Sequence, residues 1–245
     1  MARLIDIRLK PGERGLLVGQ SGSGKTYAAA WLLRHDSQRC VILDTKTEPV
    51  FEHIAAKRED YEETTKIVET RAELTRELRD RKKGADYIIV RPSVSVLADP
   101  FELDAWLLEI YNENKSITVF IDEAYQLHKG SQAGPGLIAL LTRGRARGIT
   151  TLVGTQRPAW LTRFALTESN RFYMFRLVDV KDWARLSDVI PGIPKDGIPL
   201  KRYEYLYYKM GDDSYTHMAP LPPVADLSWT PQAETEPDEP RRKWF

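Results

Sequence analysis

Cysteine is almost missing from this chain: Cys40 is the single one in 245 residues. An internal disulfide framework is therefore excluded, and a reducing compartment is expected. Cys40 heads the apolar run Cys40-Val41-Ile42-Leu43, a place for a small core residue. Long apolar runs are missing too; none approaches the ~20 residues that span a bilayer. The first residues show no signal-peptide pattern. A cytoplasmic protein without a membrane segment is the expectation. Neither sign of charge is in excess, with 36 Lys and Arg against 35 Asp and Glu and a formal charge of +1. The chain as a whole thus exerts no strong pull on polyanions, and any such contact has to come from local clusters or from several subunits acting together. The 42% hydrophobic content and the length suit one α/β domain with a small annex.

The most informative stretch is Gly19-Gln20-Ser21-Gly22-Ser23-Gly24-Lys25-Thr26. It fits G-x-x-x-x-G-K-[ST], follows the apolar run Gly15-Leu16-Leu17-Val18, and opens the helical pattern Tyr27-Ala28-Ala29-Ala30-Trp31-Leu32-Leu33. Strand, glycine loop and helix together distinguish a phosphate-binding loop from a glycine-rich turn without a ligand. Gly22 and Gly24 let the backbone turn tightly, so that successive N–H groups from Gly19 to Tyr27 point at phosphate oxygens. The helix N-terminus adds unpaired donors and partial positive charge. Lys25 would reach the β- and γ-phosphates, and the Thr26 hydroxyl would hold Mg²⁺.

About a hundred residues on, Ile117-Thr118-Val119-Phe120-Ile121 ends in Asp122-Glu123. This reads as a Walker B strand. Asp122 would hold Mg²⁺ through water, and Glu123 would polarise a water for attack on the γ-phosphorus. A carboxylate in that place suggests hydrolysis rather than transfer to a small acceptor. Next comes Leu137 to Gly148, a helix ending in Arg143, Arg145 and Arg147. The strand Ile149-Thr150-Thr151-Leu152-Val153-Gly154-Thr155 then carries the polar tip Gln156-Arg157-Pro158. Placed beside both Walker strands, that strand would bring the Gln156 amide to the γ-phosphate. In a ring of subunits, one of the arginines could reach a neighbour's nucleotide; solvation or contact with a DNA backbone is the alternative for each.

The remaining chain supplies scaffold. Leu4 to Leu9 reads as an edge strand, and Arg39 to Asp44 as a parallel strand with Asp44 either near the ligand crevice or capping a helix. Residues 55–83 are highly charged helix formers. They read as a solvated helical face, with a subunit interface or basic contact through Arg79, Arg81, Lys82 and Lys83 as the other reading. Ala85 to Pro92 is a buried strand, and Asp99-Pro100 starts a helix with Leu103, Trp106, Leu107 and Ile110 on one face. Arg171 to Leu177 is a further core strand, followed by a helix bearing Trp183, Leu186, Val189 and Ile190. Lys201 to Met218 reads as a β-hairpin whose aromatics pack onto the sheet, with stacking on nucleic acid as the other reading. From Pro220 prolines and acids dominate; disorder is expected there, with Arg241 to Phe245 a frayed tail or a short docking peptide.

The segment Thr142-Arg143-Gly144-Arg145-Ala146-Arg147-Gly148-Ile149 followed by Gly154-Thr155-Gln156-Arg157-Pro158 resembles the FtsK–HerA superfamily of DNA-translocating ATPases. The phosphate loop, the strand ending at Asp44 and the Asp122-Glu123 pair match in order, over about residues 13–190. The resemblance implies a RecA-like ASCE P-loop NTPase fold of the α/β class: a mostly parallel central sheet flanked by helices, here with a C-terminal β-hairpin at about 200–219 and a tail at 220–245. It implies ATP and Mg²⁺ as cofactors and a pentameric or hexameric ring that pumps double-stranded DNA. By position, Gly19, Gln20, Ser21, Gly22, Ser23, Gly24, Lys25, Thr26 and Tyr27 would bind nucleotide and Thr26 and Asp122 the metal. Glu123 would be the base and Gln156 the sensor, and Arg145 the first choice for a finger acting in trans, with Arg143 and Arg147 behind it. Without membrane helices, a DNA-reading domain or an amino-terminal barrel, the chain is most similar to the viral genome-packaging members. Those dock on a capsid portal or vertex, which places this chain in a host cytoplasm or on a capsid. A cellular or plasmid DNA translocase and an ATP-driven virion assembly or export factor are the rival readings.

Overall fold

A computed structural model describes residues 6–55, 63–80, 84–129 and 132–222. The strands are β1 (Arg14–Val18), β2 (Arg39–Leu43), β3 (Thr65–Val68), β4 (Tyr87–Val90), β5 (Ile117–Ile121), β6 (His128–Lys129), β7 (Gln132–Ala133), β8 (Thr150–Thr155), β9 (Arg171–Phe175), β10 (Tyr205–Lys209) and β11 (Thr216–Met218). The helices are α1 (Lys25–Arg34), α2 (Pro49–Glu52), α3 (Arg71–Arg79), α4 (Val94–Leu97), α5 (Pro100–Glu113), α6 (Pro135–Arg143), α7 (Arg163–Glu168) and α8 (Val180–Ser187). Among the described residues, no helix is long and apolar enough to cross a membrane.

Nine strands form one sheet in the order β11-β10-β9-β1-β8-β5-β2-β4-β3, while β6 and β7 make a separate small ladder. From β9 to β3 the pairing is parallel; β10 and β11 join antiparallel at the β9 edge. The buried strands read as continuous apolar runs because both faces are covered. Leu16 and Val18 point to the face packed by α5 and α6, where Leu103, Trp106, Leu107, Leu137 and Leu140 meet them. Leu17, Cys40 and Ile42 point to the other, packed by α1 through Ala28, Trp31 and Leu32.

Helix ends follow their capping residues. Thr70 and Glu73 form a reciprocal capping box on α3, and the Asp99 carboxylate accepts from the Phe101 and Glu102 N–H groups at α5. Helix α6 has no side-chain cap of its own at Gly134. Asp104 of α5 takes that role from the side, accepting the Gly136 N–H at 2.7 Å and the Leu137 N–H at 2.9 Å. A buried carboxylate thus locks the two helices that cover the Walker strands.

Three sequence expectations are corrected. Residues 6–10 are not a strand; Asp6 accepts from the Arg8 backbone and guanidinium, while Arg171 and Tyr173 donate to the Asp6 and Ile7 carbonyls. Side chains take the bonds that a ladder would need. The charged segment expected to be helical contains β3, whose Thr-Lys-Ile-Val sequence pairs with β4 and leaves Ile67 exposed at the sheet edge. The helix before the arginines ends at Arg143, and Gly144–Arg147 continues as a 3₁₀ turn closed by Gly148 at φ 68°. Arg81, Lys82 and Lys83, together with 223–245, lie outside the described residues.

Candidate active site

The carboxyl ends of β1, β8 and β5 converge on one point. Because β8 lies between β1 and β5, its tip is aimed between the glycine loop and the Asp122-Glu123 pair, the arrangement expected for Gln156. The loop is braced on both flanking strands. The Gly19 N–H donates to the Thr155 carbonyl at 3.3 Å and the Gln20 N–H to the Arg176 carbonyl at 3.0 Å. Gly22 and Gly24 take left-handed φ of 73° and 104°, values that a side chain would make costly. Helix α1 starts on Gly24 with no side-chain cap and no acid in its first turn, so its N-terminal donors remain for an anion.

Lys25 is almost fully buried and faces both acids, 3.7 Å from Asp122 Oδ1 and 3.6 Å from Glu123 Oε1. A second lysine, which the sequence reading did not single out, completes the group. Lys46 hydrogen-bonds Glu123 Oε1 and lies 3.7 Å from Asp122 Oδ2. It is carried by the turn after β2. Asp44 holds that turn, accepting the Glu48 N–H with both oxygens at 3.1 and 3.0 Å and pairing with Arg91 at 3.0 Å. Asp44 does not cap α2, which has Glu48 as its N-cap and no side-chain cap; it ties the turn at the carboxyl end of β2 instead.

The two acids differ in environment. Burial pushes the Asp122 carboxyl up from the ordinary value, and Lys25 and Lys46 only partly offset it. Burial acts on Glu123 in the same direction but is outweighed by the Lys46 hydrogen bond and the two lysine charges, so Glu123 titrates below the usual range. Lys46 is correspondingly raised: burial works against its charge, and the bond to Glu123 overcomes it. Glu123 also sits at φ 53°, an uncommon value for a side-chain-bearing residue, and accepts the Gln156 N–H on Oε2 at 3.3 Å. Its carboxylate thus touches the β8 tip while sharing Lys25 and Lys46 with Asp122.

A cation fits this donor set. Both Asp122 oxygens are buried and accept no hydrogen bond. Thr26 follows Lys25 at the start of α1 and is half-buried on the same cleft. No group of three His, Cys, Asp or Glu able to hold a metal occurs among the described residues. Thr26 and Asp122 alone would leave an octahedral ion to complete its shell from phosphate and water, as Mg²⁺ does at nucleotides. The cleft has a volume of about 420 Å³ and is lined by Gln20, Gly22, Lys25, Lys46, Glu48 and Gln156, among others.

The arginines are elsewhere. Arg145 packs its backbone against Gly12, which precedes β1, and the Gly12 N–H donates to Thr150 Oγ1 at the start of β8. The Arg143–Arg147 turn therefore lies at the amino ends of the strands, and the glycine loop at their carboxyl ends. Arg147 donates to the Asn114 and Asn112 carbonyls and stacks on Tyr111, while Arg143 and Arg145 are exposed. Within one chain the structure does not bring them to the cleft.

No family model matches the chain. Over 221 residues it is 30% identical to the DNA packaging ATPase P9 of Enterobacteria phage PRD1, covering 86% of this chain and 88% of that protein. The fold is similar to the genome packaging NTPase B204 from Sulfolobus turreted icosahedral virus 2 in complex with AMPPCP. That match has a TM-score of 0.65 and 18% identity over 87% of this chain and all of that one. It is also similar to VirB4 of Thermoanaerobacter pseudethanolicus, with a TM-score of 0.55 and 10% identity over 86% and 89% of the two chains.

Proposed function

The chain belongs to the phage DNA-packaging ATPases, and from that premise we propose that it hydrolyses ATP to drive double-stranded DNA into a preformed capsid. The observation that carries the chemistry is the meeting of Lys25, Asp122, Glu123 and the β8 tip at Gln156 in one cleft.

The phosphates lie on the Gly19–Thr26 backbone and the first turn of α1, with Lys25 on the β- and γ-oxygens. Thr26 and Asp122 would hold Mg²⁺, which would supply positive charge to those oxygens. Glu123, kept ionised by its lysine partners, orients a water and takes its proton as the water attacks the γ-phosphorus. Lys46, bonded to Glu123 Oε1, favours that ionised form. Gln156 is joined to Glu123 through its own N–H and faces the γ-phosphate with its amide. It therefore reports the loss of that phosphate to β8.

The arginine turn at the opposite end of the sheet supports a ring in which Arg145, or Arg143 beside it, enters a neighbour's cleft. Arg147 is less suited because backbone carbonyls already hold it. Double-stranded DNA is gripped through phosphates rather than bases, and the ring docks on a capsid portal or vertex in the host cytoplasm.

The test is steady-state ATP hydrolysis by the full chain with and without long double-stranded DNA at low salt. Strong stimulation that vanishes in Glu123→Gln supports the motor. A rate indifferent to DNA, from a sample shown to oligomerise, points instead to an assembly factor that moves protein.

A further inference from the structure

A second cleft of about 330 Å³ opens beside the phosphate site and shares Gly24, Tyr27 and Tyr203 with it. Its other walls are Phe175, Pro220 and Leu221. Almost everything exposed in it is aromatic or aliphatic. Tyr203 and Tyr27 are exposed by 42% and 37%, high for rings that border a charged cleft.

The cleft is built. Tyr203 has φ 67°, a left-handed value unusual for an aromatic residue. The turn before β10 thereby sets its ring over Gly24, where even a methyl group would come within 3.1 Å of Tyr203 Cδ1. Arg202 stacks on the ring at 4.7 Å. Phe175, stacked on Tyr205 at 5.1 Å between ring centroids, backs Gly24 from β9. The far wall is tied down by the Tyr27 hydroxyl, which donates to the Pro222 carbonyl at 2.9 Å.

Resting on the reading of the glycine loop as a triphosphate site, we propose that this cleft seats the nucleotide's base against Tyr203. We further propose that it accepts adenine and guanine alike. A nucleotide with its phosphates on Gly19–Thr26 must send its base out past Tyr27, and this apolar surface is continuous with that point. Stacking favours the larger ring system, so purines bind better than pyrimidines. Adenine and guanine differ in the polar groups on their edges. Distinguishing them takes donors and acceptors aimed at those edges; the lining side chains carry no carboxylate or amide, and the Tyr27 hydroxyl is already given to the Pro222 carbonyl. The walls come from the C-terminal hairpin and the segment after it, so the base would link those elements to the glycine loop.

The test is equilibrium competition on the full chain with Mg²⁺, using ATP, GTP, CTP and inorganic tripolyphosphate as probes. Tripolyphosphate reads the phosphate loop alone. In the wild type, ATP and GTP should agree within about threefold and CTP should bind about tenfold more weakly. Tyr203→Ala should lose about tenfold for both purines with tripolyphosphate unchanged, and Tyr203→Phe should bind like the wild type. Unaltered ATP binding in Tyr203→Ala overturns the proposed base site while Lys25→Ala, losing every probe, leaves the triphosphate reading standing. Loss of tripolyphosphate in Tyr203→Ala also overturns it, because the ring would then be holding the loop. A preference for ATP over GTP beyond about fiftyfold overturns the purine tolerance. A wild-type chain that binds neither ATP nor tripolyphosphate sinks the triphosphate reading, and the base site with it.

Discussion

Replacing Lys46 by methionine keeps most of the stem and removes one positive charge from beside both acids. At the 3.7 Å separating Lys46 Nζ from Asp122 Oδ2, two unit charges interact by about 4.5 kcal/mol at an effective dielectric near 20, and by about 1 kcal/mol in bulk water. Lys46 is about a third exposed, so solvent screening places the effect between these limits, at about 2 kcal/mol. That corresponds to about 1.5 pH units. The sign follows from which form the lysine favours. Lys46 stabilises the ionised carboxylates, so its loss raises the apparent pKa of the Asp122–Glu123 pair. In the wild type Glu123 titrates below the ordinary glutamate range, and the acid limb of kcat/KM due to this base should fall below about pH 4.5. In Lys46→Met that limb should move up by about 1–2 units, with the difference between the proteins vanishing above about pH 7. The quantity to measure is kcat/KM for ATP across pH at fixed ionic strength, because it reports groups of the free enzyme. Protonation of ATP itself is common to both proteins and cancels in the comparison. Superimposable acid limbs would refute the reasoning, showing that Lys46 does not hold Glu123 in solution.

Four further outcomes are expected. Glu123→Gln should bind ATP with wild-type affinity and lose at least about a hundredfold in kcat, checked by equilibrium binding beside steady-state hydrolysis. Lys25→Ala should abolish nucleotide binding and so lose the thermal stabilisation that ATP gives the wild type, read from melting curves with and without ATP. Arg145→Ala should bind ATP normally and hydrolyse poorly, and mixing it with Glu123→Gln subunits should restore activity; a dead mixture argues that Arg145 is not supplied in trans. Asp104→Ala, which strips the N-terminus of α6 of its acceptor, should cost about 2 kcal/mol and lower Tm by about 4–8 °C, measured by thermal denaturation.

The phosphate loop and the Walker B acids were legible in the sequence because their chemistry is local. Loop, lysine and hydroxyl must be adjacent, and an acid must follow an apolar strand. The place of β8 between β1 and β5 was legible for a related reason, since the sensor role expected of Gln156 requires it. Lys46 left no such signal. It is one basic residue in a polar turn, and its meaning comes from a register in which β2 pairs with β5 and Leu43 stands opposite Ile121. Tyr203 was hidden in the same way among the aromatics of the hairpin. Tyr205, Tyr207 and Tyr208 did pack into the core, as expected of the hairpin's aromatics, whereas a left-handed φ turned Tyr203 back over Gly24. The β3 strand was missed because its charged surroundings favour helix, and parallel pairing with β4 overrode that local preference.

The arginine turn shows how the fold narrows what a motif leaves open. The resemblance put Arg145 first, with Arg143 and Arg147 behind it, as residues that could meet a phosphate, without saying whose phosphate. The strand β1 separates their turn from the glycine loop by about 16 Å, five residues at ~3.3 Å each, which is longer than an arginine side chain. None of the three can therefore serve its own cleft without dismantling the sheet. A closed ring joins unlike faces of successive subunits, and only such a junction could bring the amino end of one sheet against the carboxyl end of the next. Arg147 is already held by two carbonyls and the Tyr111 ring, so moving it would sacrifice contacts within its own subunit. Arg143 and Arg145 stand exposed on the same turn, and reaching across a boundary would cost them far less. Under the proposed ring, the separation that removes these side chains from their own site would leave them free to serve a neighbour's, and each hydrolysis would then depend on the next subunit being in place.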